Sequence, residues 1–258
     1  MPSSYESKTW FGNRILNEPQ ASAAIFCAID TPSLDDAVGL ARRLNGVIGG
    51  IKLGSEFYTA NGPEGVREIT AAAPGQRLFL DLKFHDIANT VAGSVRAATA
   101  LSPYMLNVHA SGGAVMLRAS AEAAAKEAER LGIERALVIG VTVLTSLDGD
   151  DLAAVGQSLP VADQALRLAL LSQENGLDGV VCSAHEIAAL RARCGPEFTL
   201  VVPGIRPSWA ETNEQKRIMA PAAALTAGAD FLVIGRPITG SADAAEAARR
   251  VIAEIAGS

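Results

Sequence analysis

The sequence is poor in several things, and each shortage removes a class of explanation. It holds three cysteines, Cys27, Cys182 and Cys194, an odd number without metal-ligand spacing. Cys27 and Cys182 lie in apolar runs, where a reduced thiol acts as a small hydrophobe. A disulfide framework is excluded, and a reducing compartment, the cytoplasm, is expected. Positive charge is also scarce: 22 Lys and Arg stand against 28 Asp and Glu, for a net charge of −6. That balance disfavours nucleic acid or an anionic membrane as partner. No apolar run approaches the roughly 18 residues of a membrane span. The first twenty residues contain no stretch of signal-peptide length. Aromatic residues make up only 5% of the chain, while 49% is hydrophobic, which suits Ala- and Val-rich helices packed around a sheet.

What is present has a regular beat. Strand-like apolar runs fall at Ala24–Ile29, Gly46–Leu53, Leu78–Lys83, Met105–His109, Ala136–Val143, Gly179–Cys182, Thr199–Val202 and Phe231–Ile234. Between them lie segments with helical spacing, among them Ser33–Leu44, Gly113–Leu131, Pro160–Asn175 and Asp243–Ile255. Pro32, Pro63 and Pro160 stand near helix starts, and Gly132 and Gly176 near helix ends. Doubly buried strands alternating with helices predict a parallel sheet, and eight such units in about 250 residues predict a closed (β/α)8 TIM barrel. An open doubly wound sheet is the rival, but the first strand runs into Asp30-Thr31-Pro32 without a glycine fingerprint. We expect an α/β protein with an N-terminal extension at 1–22 and one barrel domain at 23–258.

Barrels of this class carry their chemistry at the C-terminal strand ends. Those ends hold Asp30, Lys52, Asp81, Lys83, His85, Asp86, Asn107, His109, Arg206 and Arg236. Asp81 and Lys83 share strand parity and should face the barrel mouth together. The plainest reading is a structural ion pair. With Lys52 and Asp30 on neighbouring strand ends, however, the array would cost several kcal/mol of desolvation per ion, and apolar packing would be cheaper. Such an array points to chemistry. Asp86, Asn89 and Thr90 could simply cap a helix. His85, His109, Asp81 and Asp86 match no standard zinc spacing, and two lysines beside them oppose a cation, so no metal is expected. Gly204-Ile205-Arg206 and Gly235-Arg236 follow the last two strands, where barrels often cradle phosphate. The long polar segment Arg206–Arg217 has the composition of a lid or of a plain surface loop.

The run Asp81-Leu-Lys-Phe-His-Asp-Ile87, followed by Asn89-Thr90, resembles the signature of the orotidine 5′-phosphate decarboxylase family. The likeness continues through Asn107–Gly113, Val141–Ser146, Asp178–Ser183, Pro203–Pro207 and Val233–Pro237, and is nearest to the bacterial single-domain form. Ala88 stands where the family commonly has proline. The resemblance implies decarboxylation of orotidine 5′-monophosphate without a cofactor, in the last step of de novo UMP synthesis. It implies a catalytic array of Lys83, Asp81, Asp86 and Lys52, with Lys83 as proton donor. Asp30 and Lys52 would address the ribose, Thr145 the pyrimidine, and Arg206, Gln215, Gly235 and Arg236 the phosphate. Asp86, Ile87 and Thr90 would enter the site of a partner in a homodimer. Two competitors remain: a Mg2+-dependent sugar-phosphate decarboxylase or aldolase, which would need an acidic ligand where Lys52 stands, and a non-catalytic phosphate-binding barrel.

Overall fold

The computed structural model describes residues 16–210 and 219–257. Its strands are β1 (Ile25–Ile29), β2 (Gly50–Gly54), β3 (Arg77–Phe84), β4 (Met105–His109), β5 (Leu137–Val141), β6 (Gly179–Val181), β7 (Thr199–Pro203) and β8 (Phe231–Ile234). All pair in parallel, each with its sequence neighbour, and β8 pairs back to β1 to close the barrel. The intervening helices are α1 (Glu18–Ala23), α2 (Leu34–Leu44), α3 (Ser55–Ala72), α4 (Ala88–Thr99), α5 (Gly113–Leu131) and α6 (Gly149–Ala154). After them come α7 (Val161–Glu174), α8 (Ile187–Cys194), α9 (Pro221–Ala227), α10 (Arg236–Thr239) and α11 (Ala244–Ala256). The expected (β/α)8 barrel is therefore observed.

Strand parity builds two apolar layers. In β1, Phe26 and Ala28 point inward and pack with Phe79, Met105, Leu137, Ile139, Val201 and Val233 in the barrel interior. Ile25, Cys27 and Ile29 alternate with them and pack outward beneath the helices. Burial on both faces is what makes parallel strands read as unbroken apolar runs. The three thiols are buried and free, and burial pushes Cys27 up to about 12, so it is inert packing material.

Local chemistry sets the helix ends. Ser33 accepts from the Asp36 amide at 3.3 Å to start α2. Helix α3 is broken at Gly62, whose φ of 63° suits glycine, and Pro63 restarts it. The expected second strand is shorter than its apolar run. Residues 46–49 turn instead, beginning at Gly46 with φ 74°, and Gly50 leaves no room for a Cβ beside the Phe26 ring. Helix α1 lies under the barrel: Leu16 and Ala21 join the outer core, and Ser22 bonds Val47 and Gly49 across the first turn.

Candidate active site

At the C-terminal rim the ends of β1, β2 and β3 bring their charges into one chain. The Lys52 ammonium lies 3.0 Å from Asp30 Oδ1 and 3.3 Å from Asp81 Oδ2, and the Lys83 ammonium lies 2.6 Å from Asp81 Oδ1. Asp30, Lys52, Asp81 and Lys83 thus alternate in sign, with Lys52 and Asp81 buried and Asp30 exposed. Burial alone would pull the Lys52 ammonium down, but Asp81 and Asp30 outweigh it and hold it above the ordinary lysine value. Burial alone would push Asp81 up. Lys52 and Lys83, with hydrogen bonds from Lys83 and Asn107, hold it below the usual carboxylate range. Lys52, Asp81 and Lys83 line a cavity of about 190 Å³ together with Phe79, Val141, Thr145 and Val233. The combination of fixed charges and apolar walls gives strong local fields, because little water screens them.

The segment that supplies Asp81 and Lys83 is not regular strand. Lys83 has φ 51°, a left-handed conformation uncommon outside glycine. The β3–β4 pairing also shifts register between Leu80 and Phe84. Asn107 of β4, fully buried, answers the irregularity: its Nδ2 donates to Asp81 Oδ1 and its Oδ1 accepts from the Lys83 amide, both at 2.7 Å. Sequence reasoning places Asn107 on the rim without a role. The available signal was its inward parity, two residues after Met105.

Beyond the bulge the chain turns outward. Asp86, Ile87, Asn89 and Thr90 are exposed, Ile87 by 72%. The N-cap of α4 is Ile87, with no side-chain cap bond, so Asp86, Asn89 and Thr90 do not serve the capping role their residue types suit. The Asp86 carboxylate accepts instead from the Ile87 amide at 2.6 Å. The rings of His85 and His109 lie 5.3 Å apart. Burial, then His85 and Lys83, hold His109 below the ordinary histidine value. Among the described residues no three His, Cys, Asp or Glu side chains cluster as metal ligands.

The other half of the rim carries two cations, Arg206 after β7 and Arg236 at the start of α10. Arg206, buried after β7, is pulled below the ordinary arginine value first by burial and then by the neighbouring charge of Arg236. The two guanidinium groups are near enough for their like charges to oppose each other. Gly235 links β8 to α10 and stands against Ala28 of β1. Gln215 lies outside the described residues. The structure therefore gathers Lys52, Asp81, Lys83 and Thr145 at the cavity, with Asp30 beside Lys52, and places Arg206 and Arg236 on the β7–β8 side. It leaves Asp86, Ile87 and Thr90 facing outward.

Comparison with known proteins gives this geometry a lineage. Residues 24–251 match the sequence model of the orotidine 5′-phosphate decarboxylase / HUMPS family. The chain belongs to this family. It is 56% identical to the orotidine 5′-phosphate decarboxylase of Rhodospirillum rubrum over 233 residues, which is 90% of this chain and 94% of that protein. To the enzyme of the same name from Moorella thermoacetica it is 50% identical over 236 residues, 91% of this chain and 93% of the other. Among solved structures, orotidine 5′-phosphate decarboxylase from Lactobacillus acidophilus superposes with a TM-score of 0.79 at 30% identity, covering 90% of this chain and 98% of that one.

Proposed function

We propose that the protein is an orotidine 5′-phosphate decarboxylase, a carboxy-lyase that converts orotidine 5′-monophosphate to uridine 5′-monophosphate in pyrimidine synthesis. The observation that carries this is the alternating chain Asp30–Lys52–Asp81–Lys83 at one end of a barrel whose relatives bear that name. Its barrel domain is 23–258, with 1–22 as an extension, and its place is the cytoplasm.

The substrate sets two problems for an acidic protein. It carries a phosphate dianion and a carboxylate, so cations must be concentrated locally. Loss of CO2 then leaves an electron pair on C6 in a vinyl-type orbital, with no conjugated sink. Arg206, Arg236, Gln215 and the Gly235 backbone hold the phosphate. Asp30 and Lys52 hold the ribose hydroxyls, and Thr145 meets the pyrimidine at the cavity wall. Asp81, kept ionised by Lys52 and Lys83, faces the departing carboxylate and raises the energy of the ground state relative to the transition state. As the C6–carboxyl bond breaks, the Lys83 ammonium stabilises the developing charge and then passes its proton to C6. Phosphate binding remote from C6 supplies energy for this arrangement.

Asp86, Ile87 and Thr90 reach the site of a second copy, so the functional unit is a homodimer with two shared sites. The exposure of these residues, of Ile87 above all, supports that reading. A Mg2+-dependent sugar-phosphate enzyme is disfavoured because Lys52 occupies the strand-two end where such an enzyme needs an acidic ligand. The deciding experiment follows the absorbance of orotidine 5′-monophosphate in excess EDTA. Steady decarboxylation is expected. Full inhibition reversed by Mg2+ would overturn the reading and favour the metal-dependent relative.

A further inference from the structure

We propose that Asn107 is the positioning residue that sets the Asp81–Lys83 couple, a role resting on the decarboxylase reading and adding to it. Three observations converge. First, Asn107 is a wholly buried amide on an inward-facing strand position, where an unsatisfied polar group would be costly. Second, each end of that amide meets one member of the couple. Its Nδ2–H donates to the Asp81 carboxylate and its Oδ1 accepts from the Lys83 backbone N–H, both at 2.7 Å. Third, the pairing of β3 with β4 runs through Leu80↔Leu106 and resumes at Phe84↔Val108, so Asn107 alone stands opposite residues 81–83.

This places Asn107 at the root of a bulge. The left-handed turn at Lys83, φ 51°, is a conformation that persists only where its surroundings enforce it. The Asn107 carbonyl fixes the amide of that residue by accepting its hydrogen. The same side chain anchors the Asp81 oxygen that the Lys83 ammonium also contacts, at 2.6 Å. One amide therefore holds the carboxylate of one partner and the backbone of the other, fixing where the ammonium can swing. Aspartate keeps the acceptor but loses the donor, and alanine or leucine loses both.

The charged and titratable groups around Asp81 are Lys52 from β2 with Asp30 beyond it, Lys83 on its own strand, and His109 from β4 with His85 against it. The Asn107 bond favours the ionised form of Asp81, so its removal raises the pH at which that carboxylate takes a proton. Activity that needs ionised Asp81 then falls at a higher pH.

The test compares the full-length protein with Asn107→Ala and the isosteric Asn107→Asp, the second guarding against a collapse of the emptied site in the first. Affinity for uridine 5′-monophosphate and the melting temperature are measured beside kcat across pH. Expected are a roughly 10- to 100-fold drop in kcat and product-nucleotide affinity within about twofold of wild type. The acid limb of kcat should move to higher pH, further in Asn107→Asp, where a second carboxylate opposes Asp81. The shifted limb should persist when His109→Gln is added, which assigns it to Asp81. A limb that disappears with His109 overturns the proposal. So do folded variants with wild-type kcat and pH profile, or a parallel fall of kcat, nucleotide affinity and melting temperature, which marks a merely structural residue. A wild type that leaves orotidine 5′-monophosphate intact overturns the parent reading and this inference with it, whereas an active wild type beside unaffected variants overturns this inference alone.

Discussion

The two ends of the barrel both contain buried charge, but they handle it in opposite ways. On the floor, Arg191 from α8 donates to the carbonyls of Gly195, Phe198 and Gly228 and pairs with Asp230 at 2.6 Å. Asp230 also accepts from the Leu200 amide, tying β7 to the approach of β8. Arg135 and Asp178 repeat the device beside β5, with Asp178 accepting from the Val138 amide. Arg77 bonds Gly49 and Ala23 while lying over the rings of Phe26, Tyr104 and Phe231. Each floor cation ends on fixed backbone carbonyls, on a carboxylate that also holds backbone, or on both. At the mouth, the partners of the Lys52 and Lys83 ammonium groups among the described residues are side chains, and those partners line or border a cavity. The floor has a larger opening, about 430 Å³, bordered by Gln76, Arg77, Tyr104, Glu134 and Arg135, and the ion pair that reaches it, Arg135–Asp178, is tied to the Val138 amide. Buried charge that stitches loops together is structural. Buried charge strung along the wall of a cavity is available for reaction.

That contrast is sharpest in substitutions that separate activity from stability. Lys83→Ala should lower kcat by at least ~10⁴-fold, since it removes both the proton donor and the countercharge, while its unfolding midpoint stays close to wild type. A stable, fully active Lys83→Ala would erase the distinction between mouth and floor. Arg191→Ala should do the reverse. It strands Asp230 and several carbonyls, and chemical denaturation should show a loss of about 3–5 kcal/mol with kcat per folded molecule unchanged. Arg236→Ala should weaken uridine 5′-monophosphate by roughly 10- to 100-fold and barely change uridine, because only the nucleotide has the phosphate. Equal losses measured by titration calorimetry would mean that the phosphate cradle lies elsewhere.

Two smaller effects probe the same boundary. Lys83→Ala and Asp86→Ala are each expected to be inactive, yet mixing them should restore activity if the site is shared. With equal amounts and complete exchange, about half the dimers are mixed and each has one intact site, so roughly a quarter of wild-type activity returns. Verified exchange without recovery would remove Asp86 from the partner's site. The smallest effect is on acid stability. Asp81 is held below its unfolded value, so its contribution is complete above about pH 4 and drains away as pH falls through the lower, folded value. Urea midpoints should therefore decline with acidification in that range, and less steeply in Asp81→Asn.

Much of the fold was legible because burial on both faces writes a strand as a short apolar run, and Pro and Gly mark the helix limits. The run at 46–53 overstated β2, since Gly46 has a turn conformation that apolar character cannot reveal. At the site, parity put Asp81 and Lys83 on one side, and the expected barrel set Lys52 and Asp30 on neighbouring strand ends beside them. What parity could not convey was the left-handed residue at Lys83, which ends the alternation before Asp86. Nor could it show that Asn107 fills the resulting gap. Both depend on a register shift between strands that are 20 or more residues apart in the chain, and local pattern carries no record of it. The aromatic platform under Arg77 was equally hidden, because Phe26, Tyr104 and Phe231 meet only when the barrel closes.

That closure fixes an order of assembly. β1 joins β8 through Phe26↔Val233 and Cys27↔Ile234, the most distant pairing in the sheet along the sequence. Contacts of such separation are entropically expensive and form late. During synthesis the chain has delivered Asp30, Lys52, Asp81 and Lys83 by residue 83, while Arg206 and Arg236 follow more than 120 residues later. A nascent chain can thus hold the whole alternating row of Asp and Lys and still lack both rim arginines. Zipping the final strand against the first is the event that turns an assembled set of charges into a working enzyme, and a chain cut short before residue 231 never reaches it.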